Sequence, residues 1–213
     1  MTPDELTDLL RKAMPLLGRA ADELATLDGA AGDGDLGITV SEGARAVEQA
    51  LDTLPADVAL AALLRAVGAA FARGNPSTFA ALVGGGLLAA ARAVTDATTV
   101  DRDAALAVGR AVAAAIAQRG GSAPGDRTVL DALIPSLDAL EQATGTSEAA
   151  LDAMIQAAED GVAATRQMSP RKGRAAWTGD RGLGHPDAGA TAYLRFLQSL
   201  REVTVGTDGR VDG

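Results

Sequence analysis

The sequence predicts an all-α protein, and three observations support that prediction. Apolar residues recur at helical spacing along nearly the whole chain of 213 residues. Alternating apolar and polar runs, which are typical of strands, are almost absent. Hydrophobic residues make up 47% of the chain but aromatic residues only 2%, so the core must be aliphatic. Because alanine dominates that core, we expect closely packed helices with little side-chain bulk between them.

The periodicity divides the chain into eight predicted helices. The first begins at Pro3, with Thr2 as its N-cap and two acidic residues in its first turn. No linker is long enough to split the chain, so we predict one domain over residues 1–203 and a flexible tail over 204–213. The predicted helices span about residues 3–27, 37–54, 55 to the break at Gly74, 78–95, 101–118, 128–143, 147–168 and 189–203.

Three consecutive glycines lie inside the fourth predicted helix, at Gly84–Gly86. Each glycine in a helix costs roughly 1 kcal/mol relative to alanine. We therefore expect a neighbouring helix or a ligand to come very close at this point.

Bulk properties exclude several classes of protein. A net charge of −9 and a pI near 4.6 argue against a general nucleic-acid surface. No apolar run approaches the roughly 18 residues of a membrane span, and the first residues carry no signal-peptide pattern. The chain has no cysteine, which excludes a disulfide framework and thiolate metal sites. These points predict a cytoplasmic protein.

One short connection concentrates the candidate metal ligands. Residues 27–37 contain Asp28, Asp33 and Asp35 together with four glycines. Neither one helix face nor one strand face would hold all three carboxylates, whereas a glycine-rich loop can bring them together. Converging carboxylates repel and favour a hard cation such as Mg²⁺ or Ca²⁺. A solvated turn is the alternative, because Gly and Asp are ordinary turn residues.

Three further loops could bind an anion. Residues 74–78 place backbone N–H groups at a helix start, which suits an anion or a plain helix cap equally well. Residues 123–128 offer Asp126 or Arg127 as polar contacts but read more simply as a turn. Residues 171–174 form the only dense basic cluster, and a solvated surface is its alternative. His185 is the only histidine, and we interpret it as structural rather than as a general base.

Together these loops resemble the nucleotide-binding L subunit (DhaL) of dihydroxyacetone kinases. No single motif is decisive, but the matches occur in the family's order across nearly the whole chain. The matching stretches are Leu27-Asp28 with Gly32-Asp33-Gly34-Asp35, Pro124-Gly125-Asp126-Arg127-Thr128, Arg171-Lys172-Gly173-Arg174-Ala175 and Gly184-His185-Pro186-Asp187-Ala188-Gly189-Ala190-Thr191.

The resemblance implies a fold and a set of site residues. The fold is a closed barrel of eight antiparallel helices. Asp28, Asp33 and Asp35 would hold two Mg²⁺ ions that bind the phosphates of ADP or ATP, and Arg174 would approach the phosphates; these four residues are the implied catalytic set. The implied nucleotide contacts are Leu36, Asn75, Ser77, Thr78, Asp126, Thr128, Leu130, Arg174 and Asp187.

The resemblance also implies a function and partners. The chain would be the phosphotransferase subunit of a ketose kinase, active with a separate K-type subunit that binds the small ketose. The phosphoryl donor would be ATP, or bound ADP recharged by a phosphotransferase-system phosphocarrier. Leu36 replaces a histidine that the family usually has, and the start of the fourth helix also departs from the family pattern. A nucleotide- or metal-sensing regulatory subunit is the alternative.

Overall fold

A computed structural model describes residues 1–169, 171–172 and 182–208, with no side-chain description for 207–208. These residues form nine α-helices and no strand, which confirms the predicted all-α, single-domain fold. The helices are α1 (Pro3–Gly18), α2 (Ala21–Ala31), α3 (Leu36–Asp52), α4 (Leu60–Gly74), α5 (Thr78–Ala93), α6 (Arg102–Gly120), α7 (Leu130–Gln142), α8 (Ser147–Thr165) and α9 (Ala188–Asp208).

Eight of these helices close into a ring. Each packs against the next in the order α1, α3, α4, α5, α6, α7, α8, α9, and α9 packs against α1 again. Most connections between consecutive helices are short, which makes those ring neighbours antiparallel, whereas the α8–α9 connection is longer, at residues 166–187. The ring is the predicted eight-helix barrel, and α2 is an additional helix that packs on α3 and α9.

The first predicted helix, residues 3–27, is wrong in two respects. It breaks after Gly18, where the N–H groups of Arg19 and Ala20 bond to carbonyls only three residues back, at Leu16 and Leu17. This tightening of the last turn closes α1. The second helix then continues to Ala31, so Asp28 lies on a helix and not in a loop.

Two other boundaries differ from the prediction. The third predicted helix does not open at Pro55, because residues 55–59 form a turn in which Asp57 has φ +61° and Val58 is buried. The last helix does not end near residue 203 but continues to Asp208. Residues 209–213 lie outside the described part, and the flexibility of the 204–213 segment stays a prediction.

The core is aliphatic, as the composition predicts. Leu24, Leu51 and Leu63 are wholly buried in one cluster that joins α1, α2, α3, α4, α5 and α9. Two of the few aromatic residues, Phe71 and Phe79, meet edge to face with ring centroids 6.5 Å apart. Among the described residues, no helix is both long enough and apolar enough to span a membrane.

The glycine run of α5 allows two helices to approach closely. A Cβ on Gly84 would lie 2.5 Å from the carbonyl oxygen of Gly68 on α4, and 2.7 Å from the Cβ of Ala72. A Cβ on Gly86 would lie 3.0 Å from the side chain of Val112 on α6. The expectation of a close helix approach at this run is therefore confirmed.

Four connections lie at one end of the barrel, because ring neighbours run in opposite directions. They are the α2–α3, α4–α5, α6–α7 and α8–α9 connections. Hydrogen bonds tie them together in pairs: Thr39, in the first turns of α3, donates to Asn75 before α5, and Arg127 before α7 donates to Gly182 before α9. All the candidate site residues that the structure describes lie in or beside these connections.

Gly84→Ala should destabilise the protein by about 1 to 3 kcal/mol, because the added methyl group overlaps the α4 backbone. That cost exceeds the roughly 1 kcal/mol that alanine gains in helix propensity. Urea unfolding measures the difference. Gly18→Ala is the matched control, since its Cβ would meet nothing within 4 Å, and it should not destabilise. A Gly84→Ala variant as stable as the parent would contradict the close packing of α4 and α5.

Candidate functional site

The three aspartates of the α2–α3 connection converge. One carboxylate oxygen from each of Asp28, Asp33 and Asp35 lies within 4.8 Å of the other two. Asp28 is on the last turn of α2, Asp33 is in the connection, and Asp35 is the N-cap residue of α3. Asp33 is exposed, and the other two are partly buried. The geometry agrees with the predicted convergence, although one of the three comes from a helix.

Glycines shape this connection. Gly34 has φ +79°, a conformation that other residues rarely adopt. A Cβ on Gly37 would overlap the carbonyl oxygen of Ala21, so α2 and α3 pack backbone to backbone. The Oδ2 atom of Asp28 accepts a hydrogen bond from the N–H of Leu36 over 3.3 Å. The helix start thereby fixes one carboxylate of the cluster.

Leu36 itself points away from the cluster. Its side chain is buried in the main core, where it helps to anchor the start of α3. Only its backbone N–H faces Asp28. The predicted nucleotide contact of Leu36 stays a prediction, and the backbone is the part that could make it.

The electrostatics of the cluster favour a cation. Burial raises the pKa of Asp35, and the negative charge of Asp28 raises it further. Asp35 does not cap α3 with its side chain. Three convergent carboxylates form an oxygen-only ligand set, which suits Mg²⁺ or Ca²⁺. The residues present therefore fit a hard divalent cation.

The α4–α5 connection is anchored to α3 by Asn75. Its Oδ1 accepts from the hydroxyl of Thr39 over 3.2 Å, and its Nδ2 donates to Glu42 over 2.8 Å. Ser77 is the N-cap of α5, and its Oγ accepts from the N–H of Ala80 over 3.1 Å. Thr78 is exposed at the first position of α5. This hydroxyl of Ser77 thus acts as a helix cap, and any contact of these residues with a nucleotide stays a prediction.

The α6–α7 connection is organised by a carboxylate that sequence reasoning missed. Asp131 is buried, and its two oxygens accept from the N–H groups of Gly125 and Thr128 over 2.5 and 2.7 Å. Asp126 accepts from the N–H of Ala123, and Thr128 accepts from the N–H of Leu130. The two predicted contacts Asp126 and Thr128 thus lie in a loop held by its own hydrogen bonds.

Leu130 is wholly buried in the core beneath this loop. It supports the loop from inside, packed with residues of α6 and α7. Its predicted position beside an adenine ring stays a prediction, because its side chain faces the interior.

The α8–α9 connection ends at a partly buried aspartate, Asp187. Asp187 accepts from the N–H of Ala190 over 2.7 Å, and its own N–H donates to the hydroxyl of Thr165. Burial raises the pKa of Asp187 to about 6, against the opposing effects of the Ala190 N–H and of the Arg127 guanidinium. Asp131 contributes a further small rise. Asp187 therefore directly precedes α9 and accepts a hydrogen bond from its first turn, and its pKa lies above the ordinary value.

Of the basic stretch at residues 171–174, the structure describes residues 171 and 172. The backbone N–H of Arg171 donates to the carbonyl oxygen of Asp126. The guanidinium of Arg171 lies 4.0 Å from the side-chain carboxylate of Asp126. Arg171 and Lys172 are both exposed. Arg174, predicted to approach the phosphates, lies outside the described residues. The described part of the stretch is thus at the same end of the barrel as the aspartates.

Sequence reasoning named Arg127 only as one possible polar contact, and the structure gives it a central place. It is 4% exposed, has φ +62°, and donates to the carbonyl oxygens of Gly182 and His185. The side chain of His185 is exposed, and its interpretation as a structural residue stays a prediction. The sequence signal for Asp131 is its position near the Pro124-Gly125 turn, and Arg127 also lies in the stretch Pro124-Gly125-Asp126-Arg127-Thr128 that resembles the DhaL family.

Comparison with known proteins assigns the family. The sequence model of the DAK2 domain matches residues 30–202. The chain belongs to the DAK2 domain family. That match covers Asp33, Asp35 and all four connections. It leaves out the part of α2 before residue 30, which carries Asp28.

Three proteins similar to this DAK2 chain carry the names of sugar kinases or of a sugar-kinase subunit. The "PEP-dependent dihydroxyacetone kinase, ADP-binding subunit DhaL" of Escherichia coli is 27% identical over 92% of this chain and 94% of its own length. The "L-erythrulose 1-kinase" of Mycolicibacterium smegmatis is 34% identical over 84% of this chain. The crystal structure of the dihydroxyacetone kinase from C. freundii in complex with AMP-PNP and Mg²⁺ has a TM-score of 0.74 and 26% identity over 92% of this chain.

These relatives differ in length. The DAK2 chain spans about a third of the M. smegmatis kinase and of the C. freundii kinase, at 32% and 33% of their lengths. It spans nearly all of the E. coli ADP-binding subunit. The part that these three relatives share with this chain is thus the helical domain.

Asp187 should titrate with a midpoint near pH 6, and its ionisation should destabilise the fold. Because the folded pKa lies above the ordinary value of 3.8, the stabilisation is complete below about pH 4 and is lost as the pH rises through 6. Asp187→Asn keeps a side-chain acceptor but no charge. Its unfolding free energy relative to the parent should therefore rise by about 3 kcal/mol between pH 4 and pH 7.

Urea unfolding of both proteins across this pH range measures the effect. Asp96→Asn removes an exposed carboxylate at the opposite end of the barrel and should show no such trend. A difference between Asp187→Asn and the parent that stays constant with pH would show that Asp187 titrates normally.

Proposed function

We propose that this chain is the nucleotide-binding part of a kinase that phosphorylates a small ketose. The observation that supports the proposal best is the convergence of Asp28, Asp33 and Asp35 at one end of an eight-helix barrel. Membership of the DAK2 family supports it independently. The relatives include an ADP-binding subunit and a kinase crystallised with AMP-PNP and Mg²⁺.

The aspartate cluster would hold Mg²⁺, and the resemblance to DhaL favours two ions. A bound Mg²⁺ would supply positive charge that neutralises the negative charge developing during phosphoryl transfer, and Asp28, Asp33 and Asp35 are the residues that would hold it. Asp28 is held ready for this role by the N–H of Leu36. Asp35 is placed by the start of α3, and the exposed Asp33 closes the set.

The other connections would hold the nucleotide. The start of α5 presents backbone N–H groups and the exposed hydroxyl of Thr78, and the partial positive charge of a helix N-terminus favours phosphate. The loop at Asp126 and Thr128 and the start of α9 at Asp187 are the proposed contacts on the remaining sides. Arg174 would assist at the phosphates.

Phosphoryl transfer would need a partner that supplies the acceptor. The bond from the γ-phosphorus to the β-phosphate oxygen breaks, a bond from phosphorus to a ketose hydroxyl oxygen forms, and the hydroxyl proton is released. We propose that a K-type subunit or domain holds this ketose. The donor would be ATP, or bound ADP recharged by a phosphotransferase-system phosphocarrier. The cytoplasmic location stays a prediction.

Asp33→Asn should abolish the stabilisation of the protein by Mg²⁺ and ADP and weaken Mg²⁺-dependent ADP binding at least tenfold. Without divalent ions the same variant should be as stable as the parent or more so, because two carboxylates about 4 Å apart repel by roughly 1 kcal/mol in water. Melting temperatures with EDTA and with Mg²⁺ plus ADP, together with calorimetric titration, measure both effects.

Asp96→Asn is the control for this charge change, because it removes an exposed aspartate far from the cluster. It should bind Mg²⁺ and ADP as the parent does. Unchanged ADP affinity in Asp33→Asn would refute the aspartate assignment.

The chain mixed with a purified K-type partner should phosphorylate dihydroxyacetone or erythrulose, whereas the chain alone should not. Mass-spectrometric detection of the sugar phosphate measures the transfer, with ATP or with a phosphotransferase-system phosphocarrier as donor. Asp33→Asn is the inactive control. Tight Mg²⁺-dependent ADP binding without transfer to any tested ketose would favour the alternative of a nucleotide-sensing subunit.

A further inference from the structure

Arg127 combines two properties that are rarely found together. It is 4% exposed, although arginine is almost never fully buried unless it is paired. Its backbone has φ +62°, which is uncommon for any residue with a side chain. Such a conformation persists only where the surroundings enforce it, and it concentrates at functional sites.

The described residues satisfy only part of the guanidinium. Its Nη2 donates to the carbonyl oxygens of Gly182 and His185 over 2.5 and 3.0 Å. Its Nε and Nη1 atoms are buried and have no hydrogen-bond partner among the described residues. The large majority of buried polar side-chain atoms have a hydrogen-bond partner, so two nitrogen atoms without one on the same side chain require an explanation.

The guanidinium lies where three segments meet. It belongs to the α6–α7 connection, it bonds to the α8–α9 connection, and a Cβ on Gly182 would overlap it while also lying 2.9 Å from the Cβ of Ala31. Ala31 is the last residue of α2, three residues after Asp28. The C-terminal end of a helix carries a partial negative charge, which attracts a buried cation.

A purely structural role explains this arrangement poorly. An apolar side chain of similar volume would fill the same space without unsatisfied donors, and such replacements of buried charges are often neutral or stabilising. The positive charge instead attracts the partly buried Asp187 carboxylate and opposes the rise of its pKa. Arg127 thus acts on the start of α9 and on the end of α2 at once.

We propose that Arg127 is a positioning residue for the nucleotide site: its buried guanidinium holds the segment Gly182–Asp187 in place against the end of α2 that carries Asp28. The proposal rests on the proposed function, because the site it serves is the Mg²⁺–nucleotide site. Arg127 does not touch the ligand. It sets the distance between the carboxylate cluster and the start of α9.

Two variants test this contact from opposite sides. Arg127→Met removes the charge and the two bonds but keeps the length of the side chain. Gly182→Ala leaves Arg127 intact and inserts a methyl group between the guanidinium and Ala31. Arg127→Lys keeps the charge and should recover part of any loss. The controls are Arg110→Met, which removes an arginine paired with Asp138 and Glu141 on the barrel wall, and Gly18→Ala, whose Cβ would meet nothing within 4 Å.

Two measurements are made on each variant. Calorimetric titration gives the affinity for Mg²⁺ plus ADP, and hydrogen exchange without nucleotide gives the local protection of residues 182–187 and 28–32. We expect Arg127→Met and Gly182→Ala to bind ADP at least tenfold more weakly and to exchange faster in both segments. Both controls should match the parent in affinity and in these segments.

A lowered melting temperature with unchanged ADP affinity would overturn the proposal, because it would show a merely structural residue. If Arg127→Met does not fold, Gly182→Ala decides by the same criteria. Failure of the parent protein to bind ADP would refute the proposed function and not the contact, since the exchange measurement without nucleotide still tests whether Arg127 couples the two segments.

Discussion

Mutual repulsion of three carboxylates is the constraint on which this site depends. Each close pair of unit charges repels by roughly 1 kcal/mol in water and about 4 kcal/mol at an effective dielectric of 20. The fold overcomes this repulsion by packing. Leu24 and Leu36 bury the facing sides of α2 and α3, and Gly37 lets the two backbones touch. Core packing therefore holds in place an acidic cluster that would otherwise separate.

The antiparallel ring explains why the other loops gather at the same end. Every second connection of such a ring lies on the same side, so residues far apart in sequence become neighbours there. Cross-links then fix the loops to one another and to the helices: Asn75 joins Thr39 and Glu42, and Arg127 joins the last two connections. Small residues allow this compactness, because the glycine run of α5 lets its neighbours approach at backbone distance.

The sequence predicts local features well and contacts between loops poorly. Helical periodicity finds seven of the helices nearly in full, and the chemistry of three aspartates among glycines points to their convergence. The break after Gly18 escapes detection because the apolar period continues through it. Gly29 has the composition of a loop residue but lies within α2.

The roles of Asp131 and Arg127 could not be predicted for a different reason. Asp131 binds N–H groups up to six residues away, and Arg127 binds carbonyls 55 and 58 residues away. Periodicity and composition carry no information on such partners. Leu36 and Leu130 show a related limit: the motifs do not indicate that these two side chains face the core. Their contacts with a nucleotide stay predictions.

Charge distribution gives the site a further property if the proposed function holds. Several arginines on the barrel wall already pair with carboxylates, namely Arg11, Arg110, Arg195 and Arg201. In a chain of net charge −9, a free polyphosphate meets an acidic cluster and is repelled by it. A divalent ion at the cluster reverses the sign of that interaction. Metal and nucleotide must therefore each strengthen the binding of the other by the same factor, as thermodynamic linkage requires. The cluster thereby selects the metal complex of the nucleotide over the free nucleotide.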